Sequence, residues 1–259
     1  NYTKSWSDFR LNFGGNFMLN DNTALIRDEE RQYAYQNRQG ISLNPIFGYQ
    51  NLGFYGFEDF DASGNVTNNL PDPQAQVQPG DIKYVNQNPD DDNVIDNFDQ
   101  VYLGRGYNPI SYNLNLQMTY KRLTLYLQGV GQSGGISRLT NSYFQVTGND
   151  KYSERVVNRW TPATAATATY PRLSTGNANN NFKNSDFWIY STSYFNLSRA
   201  QLTYEVSEKL CKKLGMKQLS VHASGSDLFR IAKDKDIQLL RIGSAPRTRN
   251  ILIGLRTSF

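Results

Sequence analysis

A hydrophobic alternation of period two, repeated in segments of about ten residues, constrains this chain more than any other feature. Phe9, Leu11, Phe13, Gly15, Phe17 and Leu19 alternate with Arg10, Asn12, Gly14, Asn16, Met18 and Asn20. Ile110, Tyr112, Leu114, Leu116, Met118 and Tyr120 alternate with Ser111, Asn113, Asn115, Gln117 and Thr119, and Leu123, Leu125 and Leu127 follow the short Lys121-Arg122 turn. Leu219, Val221, Ala223 and Gly225 alternate with Ser220, His222, Ser224 and Ser226. Ile251, Ile253, Leu255, Thr257 and Phe259 alternate with Asn250, Leu252, Gly254, Arg256 and Ser258. Successive side chains of a strand point to opposite faces, so each segment is a ribbon with one apolar and one polar side. Tilted strands of about 9–11 residues are long enough to cross a bilayer.

Composition narrows the choice further. Only 38% of the residues are hydrophobic and no apolar run approaches about 18 residues, which excludes a membrane-spanning helix and leaves a membrane-spanning barrel open. The 17 Tyr and 14 Phe favour strands over helices. With 27 basic and 23 acidic side chains the net charge is +4, and no basic run interleaves with aromatics, so no nucleic-acid partner is expected. The single cysteine, Cys211, excludes an internal disulfide, and the single histidine, His222, weakens every histidine-dependent site.

Two further segments are less regular. Gln39 to Tyr55 is apolar and Gly-rich with mixed phase, and is read as a strand. Ser193 to Val206 changes phase midway, with Phe195 and Leu197 on one parity and Ala200, Leu202, Tyr204 and Val206 on the other, which points to a bulge. The count is about seven long strands. Short connections are expected near 20–38, 121–122 and 207–217, and long ones near 57–108, 134–190 and 230–246. Short turns at one end and long loops at the other are the asymmetry of an outer-membrane barrel, with turns in the periplasm and loops outside. Counting back from a final strand that descends to the periplasm makes Phe9–Leu19, Ile110–Tyr120 and Ala200–Val206 descend as well. Tyr120, Tyr204 and Phe259 then share the periplasmic rim on the apolar face, where aromatic girdles lie.

Seven strands cannot enclose a polar lumen, and an open strand edge in lipid leaves backbone groups unpaired at several kcal/mol each. The expected fold is therefore all-β, an antiparallel transmembrane β-barrel of which residues 1–259 supply about seven C-terminal strands. The break before Asn1 is expected in an extracellular loop, with any signal sequence outside this chain.

Spaced motifs then carry a resemblance. Pro79-Gly80-Asp81-Ile82-Lys83-Tyr84 precedes an Asp-rich loop. Trp160-Thr161-Pro162, Tyr170-Pro171-Arg172-Leu173, Ser185-Asp186-Phe187-Trp188 and Ser193-Tyr194-Phe195-Asn196-Leu197 follow, the last running to Gln201-Leu202-Thr203-Tyr204. Pro246-Arg247-Thr248-Arg249, Gly254-Leu255 and Phe259 close the chain. Together these resemble the C-terminal barrel of SusC/RagA-type TonB-dependent transporters, from about Phe9 onward. The resemblance implies a 22-stranded barrel in the outer membrane of a Gram-negative bacterium, filled by an N-terminal plug that is not in this chain. It implies partners in the remaining barrel and plug, in a SusD-like lipoprotein lid and in the TonB complex. It implies import of oligosaccharides or peptides.

Three groups of residues are candidate sites. Asn88 to Asp99 has the oxygen spacing of a twelve-residue Ca²⁺ loop, with Asn88, Asp90, Asp92, Asp96 and Asp99 as side-chain ligands and Val94 giving its carbonyl. Position 1 is Asn, position 6 is Asn93 in place of Gly, and position 12 is the shorter Asp; the alternative is a solvated acidic loop held by Asx turns. Among the aromatics of 134–190, Tyr143, Trp160 and Trp188 are candidates for contact with substrate or lid, against the alternative that they pack the loop. Phe259, a terminal aromatic on an alternating strand, resembles the signal read by the barrel-insertion machinery.

Enzymatic function is not expected. His222 shares a strand face with Ser220 and Ser224, but Asp227 falls on the other parity unless a bulge intervenes. The competing non-enzymatic reading is a soluble or surface glycan-binding β-sandwich, a lectin or adhesin, whose apolar faces would have to cover one another.

Overall fold

A computed structural model describes residues 1–67, 69–88, 92–175 and 179–259. The chain divides into two compact units. The first comprises 1–21, 107–135 and 191–259, and the second 22–106 and 136–190.

The first unit is one antiparallel sheet of seven strands: β1 (Tyr2–Trp6), β2 (Phe9–Leu19), β3 (Ile110–Tyr120), β4 (Leu123–Ser133), β5 (Tyr194–Glu205), β6 (Gln218–Ile231) and β7 (Asn250–Ser258). Each strand pairs with its neighbours in sequence, so the sheet is an uninterrupted meander with β1 and β7 as its edges. No closed barrel forms within these residues. Tight turns at Ser7-Asp8 and Lys121-Arg122 connect one end of the sheet, together with residues 206–217, which hold a short helix, Glu208–Lys213. Ser7 and Lys121 have positive φ, the sign a II′ hairpin turn requires at its first central residue. From the opposite end leave three long connections, 20–109, 134–193 and 232–249.

Two features of the sequence reading change. The Gln39 to Tyr55 segment is not part of the sheet; it contributes the short strands Pro45–Gly48 and Asn51–Phe54 to the second unit. Its place in the count is taken by β1, whose pattern is interrupted by Lys4 on the apolar parity. The expected connections 20–38 and 57–108 are thus one excursion, 20–109. In addition, Phe9–Leu19 pairs antiparallel with Ile110–Tyr120, residue for residue from Phe9↔Tyr120 to Leu19↔Ile110, so the two cannot both run the same way. Alternation reveals the faces of a strand but is blind to its direction.

The register places the apolar residues on a single face. Leu11, Met118, Leu125, Leu202, Ala223 and Ile253 form one continuous row across six strands. The expected bulge in β5 falls at Ser198, between the Leu197 and Arg199 pairings. It adds one residue to the strand, returning Phe195 and Leu197 to the face of Ala200, Leu202 and Tyr204. Ser198 Oγ donates to the Gln128 carbonyl at 3.0 Å. β6 accommodates the same point with Asp227 at φ +52°, its carboxylate accepting from Asn196 Nδ2 at 2.8 Å. The Tyr112 and Phe195 rings stack with centroids 6.2 Å apart, Tyr112 over Gly131 and Phe195 over Gly129, each occupying space that a Cβ there would fill.

This apolar face is uncovered. Ile251, Ile253 and Leu255 are 72–80% exposed, while the other face carries a polar lattice. There Tyr126 Oη donates to Asn115 Oδ1, the Thr119 and Thr124 hydroxyls bond, and Gln201 Nε2 donates to Thr203 Oγ1. Among the described residues, the large buried apolar side chains lie instead in the second unit, among them Tyr33, Tyr49, Tyr55, Ile82, Tyr84, Ile95, Phe144, Val146, Val156, Trp160, Tyr170 and Trp188. At roughly 1.5–3 kcal/mol for each large side chain, this core holds together a unit with little regular secondary structure.

Candidate functional site

The motifs of the long connections converge in the core of the second unit. Gly80, at φ +92°, lets the chain turn beneath Trp160; a Cβ there would lie 2.5 Å from Trp160 Cε3. Arg172 N donates to the Gly80 carbonyl at 2.9 Å. Its guanidinium pairs with Asp81, Nε at 2.7 Å from Oδ1 and Nη2 donating to Oδ2 at 3.1 Å. Asp81 is 2% exposed, and its carboxylate also accepts from Asn181 Nδ2 at 2.7 Å and Gln78 N at 2.8 Å. Trp188 Nε1 donates to the Asn181 carbonyl at 2.6 Å. Asp186 accepts from Asn51 N at 2.9 Å and donates its own N–H to the Tyr49 carbonyl. A buried charge is tolerated only when its lone pairs are satisfied, and here three residues, Gln78, Arg172 and Asn181, satisfy Asp81.

Burial also sets the protonation behaviour of this core. The Tyr55 phenol is pushed up to about 12 by desolvation, with Asp59, Asp81 and Asp72 adding to the effect. Tyr49, Tyr84 and Tyr170 are raised for the same first cause. Lys183 lies 5.2 Å from the Tyr49 ring centroid and 5.6 Å from that of Tyr84; burial lowers its pKa while Asp99 partly restores it. Lys183 stood out in no sequence pattern, since only the fold brings two tyrosines around it.

Trp160 and Trp188 are 7% and 4% exposed, and their rings pack against Phe57 and against Tyr170, Phe182 and Phe187, respectively. Tyr143 is partly exposed and packs its ring edge-on to Phe144. The aromatic ring most open on this unit is that of Tyr152, 68% exposed.

In the acidic loop, Asp90 lies outside the described residues, as do Pro89 and Asp91. Asp92 Oδ1 accepts from Val94 N at 3.0 Å, and Asp96 Oδ1 from Phe98 N at 2.7 Å. Asp99, 1% exposed, accepts from Asp96 N on one oxygen and from Gln87 N and Asn88 N on the other. Asn93 takes the left-handed conformation that its position in the loop demands, with φ +56°. Among the described residues no three Asp, Glu, His or Cys side chains come together as a metal cage. Asp92 and Asp96 each accept in an Asx turn, and Asp96 caps the turn Asn97–Asp99.

On the polar face of the sheet, the His222 ring lies over Gly254, while Asp227 is engaged by Asn196. Cys211 is buried in the short helix of 206–217, its Sγ 3.9 Å from the Val206 carbonyl.

At the turn end of the apolar face, Trp6, Phe9, Tyr120, Leu123 and Tyr204 occupy one register row. The sequence reading assigned Trp6 to no strand, because β1 was missed, and put Phe9 at the opposite end, because β2 was oriented the other way. Phe259 continues the apolar parity of β7, four residues beyond Leu255 in that same row, and is 73% exposed. An uncovered apolar face edged by aromatics, backed by a polar face, is an arrangement for contact with hydrocarbon.

Comparison with known proteins agrees with this geometry. No protein-family model matches the chain. The TonB-dependent receptor P39 of Formosa agariphila is 24% identical over 291 aligned positions, covering 94% of this chain. The chain is related to TonB-dependent receptors. It spans 28% of the length of that receptor. The same fold is found in the RagAB peptide importer in its open-open state, with a TM-score of 0.64 at 15% identity, covering 99% of this chain and 27% of that one. A further structure of the RagAB peptide transporter gives 0.58 at 16% identity, covering 90% and 25%. These relatives are a receptor and importers, in line with the expectation that this TonB-receptor-like chain is not an enzyme.

Proposed function

We propose that residues 1–259 form part of the barrel and the outer loops of a TonB-dependent outer-membrane transporter that imports peptides or oligosaccharides. The observation that carries this reading is the uncovered apolar face of β1–β7, set against a polar opposite face. The open edges of β1 and β7 pair with further strands of the same polypeptide, closing a barrel of 22 strands around a plug. The turn end faces the periplasm, the long connections leave on the extracellular side, and a SusD-like lipoprotein acts as lid there. Phe259 is read by the insertion machinery, and its deletion lowers the amount of inserted barrel. The glycan-binding sandwich is not favoured, because its apolar faces would cover each other.

The test is uptake by whole cells expressing the full-length transporter. Labelled peptide and labelled oligosaccharide are offered in turn, with and without functional TonB. Uptake of one class that disappears without TonB supports the proposal. Recovery of the protein in the soluble fraction, or TonB-independent uptake, overturns it.

A further inference from the structure

Beyond its pairing with β7, which ends at Ser226↔Asn250, the upper part of β6 has no strand on that side. Between it and the incoming segment Pro246–Arg249 lies a cavity of about 410 Å³, lined by Asn196, Asp227 and Arg230 on one side and by Lys235, Arg247 and Arg249 on the other. Arg230 is 8% exposed. One nitrogen, Nη1, donates to Gln238 Oε1 at 3.1 Å, and the guanidinium lies 3.9 Å from the centroid of the Tyr194 ring. Its Nε is buried without a hydrogen-bond partner among the described residues. A guanidinium offers five donors, so most of this fork is unspent.

Arg247 and Arg241 are near enough to repel Arg230, and Asp227 is the carboxylate that offsets them. Asp227 already accepts from Asn196 Nδ2. The neighbouring Asp234 accepts from Ser191 N at 2.6 Å. Several cations therefore surround one buried, under-bonded guanidinium, with a single carboxylate in partial compensation. A buried cation without full pairing is costly, and an oxyanion supplying two acceptor oxygens would meet both the charge and the orphaned N–H.

We propose that Arg230, with Lys235 and Arg247 at the rim of the cavity, receives a carboxylate group of an incoming solute. Gln238 and the Tyr194 ring hold the guanidinium plane, and the rim cations draw the anion in. The site thus selects acidic over neutral cargo; this rests on the importer reading, while the binding itself does not require transport.

The experiment uses the full-length protein in detergent at low salt, with fluorescent tetra-aspartate and tetra-asparagine peptides as probes. Tetra-aspartate is expected to bind at least about tenfold more tightly than tetra-asparagine, with the difference shrinking as salt rises. Arg230→Gln is expected to remove about tenfold or more of that preference. Arg247→Gln, at an exposed position, is expected to weaken it severalfold and serves as the deciding variant where Arg230→Gln fails to assemble. Equal binding of the two peptides overturns the proposal, as it would if a carboxylate from elsewhere in the polypeptide already filled the cavity. An unchanged preference in correctly assembled Arg247→Gln and Arg230→Gln also overturns it. Preference for tetra-aspartate in detergent without TonB-dependent uptake in cells would sustain the site while rejecting the transport reading.

Discussion

Asp81 and Arg172, 91 residues apart in sequence, form a buried ion pair with Nε 2.7 Å from Oδ1. The pair ties the 20–109 connection to the 134–193 connection, and both Asp81 oxygens are further bound by Asn181 and Gln78. Replacing Asp81 with Ala leaves a half-buried guanidinium without its partner and orphans two donors. A loss of about 3–5 kcal/mol is expected, seen as faster amide exchange and proteolysis across 136–190 with the sheet unaffected.

The apolar face gives a depth-dependent prediction. Leu123 lies in the aromatic row at the turn end, and Leu127 lies four residues further along β4, roughly 13 Å away at 3.3 Å per residue. In a hydrocarbon band about 25 Å tall, that places Leu127 near the middle. Leu127→Lys is expected to cost about 2–4 kcal/mol and Leu123→Lys about 0–1 kcal/mol, measured as folding free energy into lipid vesicles. Equal costs at both positions would show that this face does not meet a bilayer.

Alkaline titration should unfold the second unit. Below pH 10 the Tyr55 phenol is neutral in the folded and unfolded chain alike. Its folded value is raised to about 12, so between 10 and 12 only the unfolded chain ionises and gains free energy. Stability contributed by this group is lost as pH rises through that window, amounting to about 3 kcal/mol at the upper end. Tyr49, Tyr84 and Tyr170 act in the same direction. Lys183 acts oppositely, since its lowered value means that deprotonation below 10.5 favours the folded form. Tyrosinate absorbance should therefore appear late, in one cooperative step with loss of aromatic circular dichroism.

The acidic loop separates two roles for its carboxylates. Asp99→Ala removes the acceptor for three backbone N–H groups, and a loss of roughly 2–4 kcal/mol is expected with or without chelator. Asp92→Ala, which frees a single turn N–H, should cost less than about 1 kcal/mol. Protease resistance that falls only when chelator is added would instead assign the loop a bound Ca²⁺.

The sequence by itself determined the two-faced character of six of the seven strands and the connections at 121–122, 134–190, 207–217 and 230–246, because period-two burial is written locally in each of those segments. It also located the β5 bulge, since Phe195 and Leu197 fall out of phase with Ala200 and Leu202. Tertiary structure alone decided that β1 exists, that β2 runs against β3 and that Gln39 to Tyr55 leaves the sheet. A strand's partner and direction depend on residues far away in the chain, and a five-residue strand carrying Lys4 on its apolar parity has too weak a pattern to announce itself. The same reason hid Lys183 between Tyr49 and Tyr84, and Arg230 beneath Arg247. Their environments are assembled from separate connections, so their chemistry appears only after the chain has folded.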